Sequence, residues 1–135
     1  MTMFRHGLIL FVLLNFIVFS MFSDLAQAAN DTIHVSFIDV GQGDSILIQG
    51  PNGEAALIDG GSSGSSVTSY LNMVGVSRLD LVIATHPHED HIGGLPEVLR
   101  SLPVGAVWTS GASHTTGAYE AFLDAIIDQQ IPYYE

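Results

Sequence analysis

The chain has 135 residues, with 3 Lys+Arg against 14 Asp+Glu and a formal charge of −11 when its 6 His are neutral, which excludes a basic protein that coats duplex nucleic acid. Hydrophobic residues at 47% against 13% charged, with a mean hydropathy of +0.39, exclude an intrinsically disordered chain. Cysteine is absent, so a disulfide scaffold, a thiolate metal finger, a Cys nucleophile and a lipidated N-terminal Cys are excluded, and any metal site must use His and carboxylate.

Leu8 to Phe22 is apolar at every position except Asn15 and Ser20. Arg5 and His6 precede this 15-residue run and Ala26-Gln27-Ala28 follows it. A charged start, an apolar middle and an A-x-A end predict a secretory signal peptide over residues 1–28, cleaved after Ala28. An uncleaved anchor fits less well, because 15 residues fall short of the roughly 18–20 that span a bilayer. The expectation is a secreted or extracytoplasmic protein with no membrane span once the leader is removed. Arg5 and Asp24 leave together, so residues 29–135 keep the charge of −11. That remainder is at most one domain, and its core is marginal without a staple such as a metal.

Ile33–Asp39 alternates apolar and polar at its start, turns through Val40–Asp44 and continues as Ser45–Gln49, which predicts a β-hairpin. A turn at Gly50–Gly53 leads to a third antiparallel strand over Ala55–Asp59. The Gly/Ser stretch Gly60–Ser66 reads as a loop, followed by a helix over Val67–Val74 with Val67, Leu71 and Val74 on one face. Leu79–Thr85 is a buried strand, His86–His91 a loop, and Ile92 to Leu99 a helix. Val104–Trp108 predicts a strand, Ser110–Thr116 a loop, Gly117 to about Gln129 a helix, and Ile131 the start of another strand.

His86-Pro87-His88-Glu89-Asp90-His91 places three histidines and an aspartate within six residues. Imidazoles at i and i+2 across a turn held by Pro87 can converge on one cation, and Asp90 with His91 points to a second. Two adjacent ions can activate water at neutral pH.

The pattern T-H-x-H-x-D-H after an apolar strand, with Leu57-Ile58-Asp59-Gly60-Gly61 upstream, resembles the metallo-β-lactamase-fold hydrolases. Phe37-Ile38-Asp39-Val40-Gly41-Gln42-Gly43-Asp44-Ser45 resembles one branch, the ComEC-like domains of competence DNA-uptake proteins and their secreted relatives. The resemblance covers about residues 32–135. It implies an α+β fold of the αββα sandwich type and a hydrolase that uses two zinc ions, acting on phosphodiesters or nucleic acid. It further implies His86 and His88 as ligands of the first zinc and Asp90 and His91 as ligands of the second. Asp90 is also the candidate catalytic carboxylate, orienting water or serving as general base. Asp59 resembles the family's first-motif aspartate, which supports the metal loop without ligating. Gln42 and Asp44, between Gly41 and Ser45, resemble a loop at the mouth of the site and are substrate-side candidates, the bland reading being a hairpin turn. His114 comes too early to match the family's next metal histidine and is a surface or substrate-side residue. His34 is a strand-face histidine.

The family's complete domain has two similar sheet-and-helix halves, whose later motifs supply a further histidine, a bridging aspartate and a final histidine. The expectation is that this chain corresponds to the first half only, a truncated product or a fragment, or meets a complementary second half. Four ligands across two ions leave two per ion, where catalytic zinc usually takes about three plus water. The alternative function is therefore an inactive metal-binding half-domain or one part of a complemented assembly. A β-lactamase proper fits the D-V-G-Q-G-D-S run less well. The acidity disfavours long duplex as substrate and favours small or single-stranded phosphodiesters.

Overall fold

The computed structural model describes residues 32–135; the proposed signal peptide lies outside them. Six strands form one sheet in sequence order: β1 (His34–Phe37), β2 (Ile46–Gln49), β3 (Ala55–Ile58), β4 (Leu81–Ala84), β5 (Val107–Thr109) and β6 (Tyr133–Tyr134). The first three pair antiparallel through short turns, as the hairpin signals require. The last three join in parallel, because a helical crossover separates each from its predecessor. These crossovers are α1 (Gly64–Met73), then α2 (Glu89–Ile92) with α3 (Leu95–Ser101), then α4 (Gly117–Asp128).

The helices cover one face of the sheet. Leu47, Leu57, Val82 and Val107 point into a core completed by Val67 and Leu71 of α1, Val98 and Leu99 of α3, and Phe122, Ala125 and Ile126 of α4. Side chains on the opposite face line up by register as an unbroken row, Phe37–Ile46–Ile58–Ile83–Trp108–Tyr134. The ends of the row are open to solvent, Phe37 at 80% and Tyr134 at 55% exposure. Strand β1 contributes Val35 and Phe37 to this outer face, both exposed. One sheet with one helical layer is the α/β unit of a layered fold.

Several boundaries differ from the sequence expectation. The helix expected over Ile92–Leu99 is two helices, interrupted at Gly93-Gly94. The amide of Gly94 leaves the helical pattern to donate to the Gly61 carbonyl at 2.9 Å, and a Cβ on Gly94 would lie 2.1 Å from the Gly60 carbonyl oxygen. Glu89, Asp90 and His91 sit on the α2 turn and not in a loop. Helix α1 starts at Gly64, three residues before the expected Val67. The strand expected over Val104–Trp108 begins only at Val107, Val104 making a single bridge to Leu79. Ile131 is buried and not in a strand; Gln130 takes a left-handed turn after α4, with the Ile131 amide donating to the Ile126 carbonyl, and β6 follows.

Candidate metal centre

Four segments meet at one end of the sheet: the loops 38–45 after β1, 59–63 after β3 and 110–116 after β5, and residues 85–94 after β4, which include α2. Carboxyl ends of parallel strands are where α/β sheets place ligands, because the chain leaves each strand there for its crossover. Backbone hydrogen bonds knit three of these segments. Gly60 N–H donates to the His91 carbonyl at 2.7 Å and Gly61 N–H to the Asp44 carbonyl at 2.9 Å. Gly43 has φ +93, and a Cβ there would stand 1.5 Å from the Asp90 carbonyl oxygen, so only glycine allows the 38–45 loop to lie against α2.

Asp59 is the buried anchor of the site, 2% exposed and in the left-handed backbone region at φ 58, a conformation that Asp tolerates better than most residues and that concentrates at functional positions. Its Oδ1 accepts the Thr85 amide at 2.8 Å. Its Oδ2 accepts the Thr85 hydroxyl at 2.6 Å and the His91 Nδ1–H at 2.8 Å. The buried Ser45 hydroxyl donates to the Asp59 carbonyl at 3.1 Å, fixing the turn that aims the carboxylate.

The rings of His86 and His91 lie 3.9 Å apart between centroids, and those of His86 and His88 4.7 Å apart. His114 reaches the outer side of this group, its ring 5.8 Å from that of His88 and its Nδ1 at 3.1 Å from the Thr116 hydroxyl, which also caps α4. Asp44 is exposed, with its carboxylate 3.9 Å from His91 Nδ1. Asp90 is half-buried beside His91, and Gln42 is exposed on the rim loop. His34 lies at the start of β1, at the strand end away from these loops. Thr85 stands in the sequence pattern without a role; only its contacts with Asp59 reveal one.

The donor chemistry fits a metal ion. Three imidazoles and a carboxylate share one rim, and the His91 Nδ1–H is committed to Asp59, which leaves its Nε2 lone pair for an ion. Among the described residues, no three donors already converge closely enough to hold one. The rings of His86 and His91 touch each other in place of surrounding a common point.

The family model of the metallo-beta-lactamase superfamily matches residues 38–130. Over 106 residues, 73% of this chain, the sequence is 33% identical to Recombination protein 2 of Haemophilus influenzae, covering 13% of that protein. Over 57 residues, 42% of this chain, it is 37% identical to hydroxyacylglutathione hydrolase of Vibrio parahaemolyticus, covering 22% of it. The chain thus spans less than a quarter of the length of either relative. The matched span runs from the loop after β1 to the end of α4 and includes every loop of the candidate centre, and on this ground the chain belongs to the metallo-beta-lactamase superfamily.

Proposed function

We propose that the chain supplies the metal-binding loops of a zinc-dependent hydrolase of the ComEC-like type, acting outside the cytoplasm on small or single-stranded phosphodiesters. The observation that carries this reading is the gathering of His86, His88 and His91 at the carboxyl ends of parallel strands, with Asp59 on the far nitrogen of His91. His86 and His88 would hold one zinc, and Asp90 and His91 the other. Zinc held there would supply Lewis-acid polarisation of a phosphoryl oxygen and a more acidic water. Asp90, half-buried and next to His91 in sequence, would be the general base toward the attacking water. Gln42, Asp44 and His114 would be the substrate-side residues of the opening.

The Phe37–Ser45 run, which resembles the ComEC-like branch, supports the phosphodiester reading, and the match to Recombination protein 2 is the longer of the two, 106 residues against 57. The two cationic side chains among the described residues are already engaged, Arg78 with Asp80 and Arg100 with Asp128. A long polyanion therefore finds little attraction on this surface away from the metal.

Equilibrium dialysis of the purified chain is expected to show bound zinc that disappears in the H86A/H88A double variant. Slow hydrolysis of bis-p-nitrophenyl phosphate should follow the same pattern. Zinc binding no better than that of the double variant would overturn the metal reading, and turnover of a hydroxyacylglutathione thioester without phosphodiester turnover would overturn the substrate. Zinc binding without any hydrolysis would favour the second reading, a metal-binding unit that works only with a further segment or chain; the open apolar row on the sheet supports that reading. Export is tested by N-terminal sequencing of secreted material, with Ala29 as the expected first residue and a membrane-held Met1 as the refuting one.

A further inference from the structure

We infer that Thr85 is a positioning residue that passes the Asp59 carboxylate on to His86, so that one buried carboxylate sets the tautomer of two imidazoles at once. The inference rests on the metal reading above for its purpose but on hydrogen-bond geometry for its substance. Thr85 Oγ1 stands 2.6 Å from Asp59 Oδ2 and 3.0 Å from His86 Nδ1. A hydroxyl has one proton to give and lone pairs to accept with. Asp59 Oδ2 also receives His91 Nδ1–H, and Oδ1 receives the Thr85 amide. The carboxylate is thus an acceptor on every side, and the Thr85 proton must point at it. What remains toward His86 is an oxygen lone pair, so His86 Nδ1 carries the hydrogen and donates.

The consequence is a branched chain, His86 Nδ1–H to Thr85 O–H to Asp59, alongside the direct bond from His91 Nδ1–H to Asp59. Both rings then present a bare Nε2, the form a metal needs. A histidine whose far nitrogen is free divides between two tautomers, and only one of them can ligate through Nε2. Thr85 removes that ambiguity for His86 at a position adjacent in sequence, where a direct bond to Asp59 is taken by its own backbone and hydroxyl.

The test starts with the metal-free chain and the variants Thr85→Val and Thr85→Ser. Valine keeps the shape and the backbone donor to Asp59 Oδ1 and removes only the hydroxyl, at an exposed position, and thermal unfolding establishes that the variant is folded before its rings are read. Long-range nitrogen–proton NMR spectra of the imidazoles distinguish the two tautomers directly. The expected result is a protonated Nδ1 on His86 in the wild type and in Thr85→Ser, and a shift toward protonated Nε2 in Thr85→Val, with His91 unchanged. Zinc affinity should fall about 10–100-fold in Thr85→Val and be restored in Thr85→Ser. A His86 tautomer identical in wild type and Thr85→Val would overturn the inference, as would, where the wild type binds zinc, a tautomer change with no change in zinc affinity. Should the wild type bind no zinc, the metal reading fails, while the tautomer shift in the metal-free protein still decides whether Thr85 relays Asp59 to His86.

Discussion

Replacing Asp59 by Asn tests the anchor of the site with almost no change of shape. Asparagine tolerates the left-handed backbone that Asp59 adopts, so strain is not added. The carboxylate accepts three hydrogen bonds, one at Oδ1 and two at Oδ2. An amide has one oxygen and one NH2 group in their place. With the oxygen facing the Thr85 amide, the NH2 group meets the Thr85 hydroxyl and the His91 ring nitrogen, which must both turn from donors into acceptors. Three charge-assisted bonds become neutral ones in a site where Asp59 has only 2% exposure and the His91 side chain 15%. A bond to a charged group contributes about 1.5–3 kcal/mol against about 1 for a neutral one, so the summed loss is about 2 kcal/mol after rearrangement. For a domain of this size that lowers Tm by about 8–16 °C. The same exchange inverts the His91 tautomer and covers the nitrogen needed for metal, so zinc affinity should fall at least about tenfold. Thermal unfolding followed by circular dichroism, paired with zinc titration against a chromophoric chelator, reads both quantities. A variant melting within about two degrees of wild type, with unchanged zinc affinity, would refute the assignment of Asp59 as anchor.

Gly43→Ala should push the 38–45 loop away from α2, since its Cβ would overlap the Asp90 carbonyl oxygen; the cost is about 2 kcal/mol or more from the backbone strain and the displaced contact, and faster hydrogen exchange at the Gly61 amide, which bonds to Asp44, would reveal the movement. Phe122→Ala empties the largest buried side chain of the core and should cost about 3–5 kcal/mol in denaturant unfolding; a loss under about 1 kcal/mol would mean that α4 does not seal the core. Glu54 is held below the usual carboxylate range by its own backbone amide and then by Asn52, so its folded form binds the proton less readily than the unfolded chain. The stabilisation it gives the turn between β2 and β3 is present above the unfolded value of 4.5 and is lost as pH falls through the folded value. Glu54→Gln should therefore be slightly less stable than wild type at pH 7 and equal to it in acid; a difference that persists at about pH 3 would contradict the cause.

The strands were legible because their residues alternate or run apolar between clear turn residues, and Asn52-Gly53 marks the second turn as plainly as a sequence can. The spacing of His86, His88 and His91 was legible too, since a turn at the end of a buried strand leaves little room for them to diverge. The break in the helix after His91 was not. Ile92, Leu95, Val98 and Leu99 keep helical spacing straight across Gly93-Gly94, and the interruption comes from the distant 59–63 loop, which takes the Gly94 amide. The role of Thr85 was hidden for the same reason, because its hydroxyl acquires meaning only when Asp59, 26 residues earlier, is folded beside it. Strand β1 departs from its own pattern in another way. An alternating strand ordinarily turns its apolar positions toward the core, yet Val35 and Phe37 face outward while Ser36 pairs with the buried Leu47, because the helices lie on the opposite side of the sheet.

The backbone bonds that join Gly60 to His91, Gly61 to Asp44 and Gly94 to Gly61 have a kinetic consequence. Ordering a loop costs about 1–2 kcal/mol per residue in backbone entropy, and here that cost is met when the sheet forms, before any ion arrives. Only side-chain torsions of His86, His88, Asp90 and His91 are left to adjust on capture. An ion should therefore enter without a folding step, with an association rate set by water exchange at the metal and by the negative charge of the chain. Stopped-flow capture rates that rise linearly with metal concentration, and slow exchange of the Gly60 and Gly61 amides in the metal-free protein, are the signature of a site whose scaffold is complete before its ligand arrives.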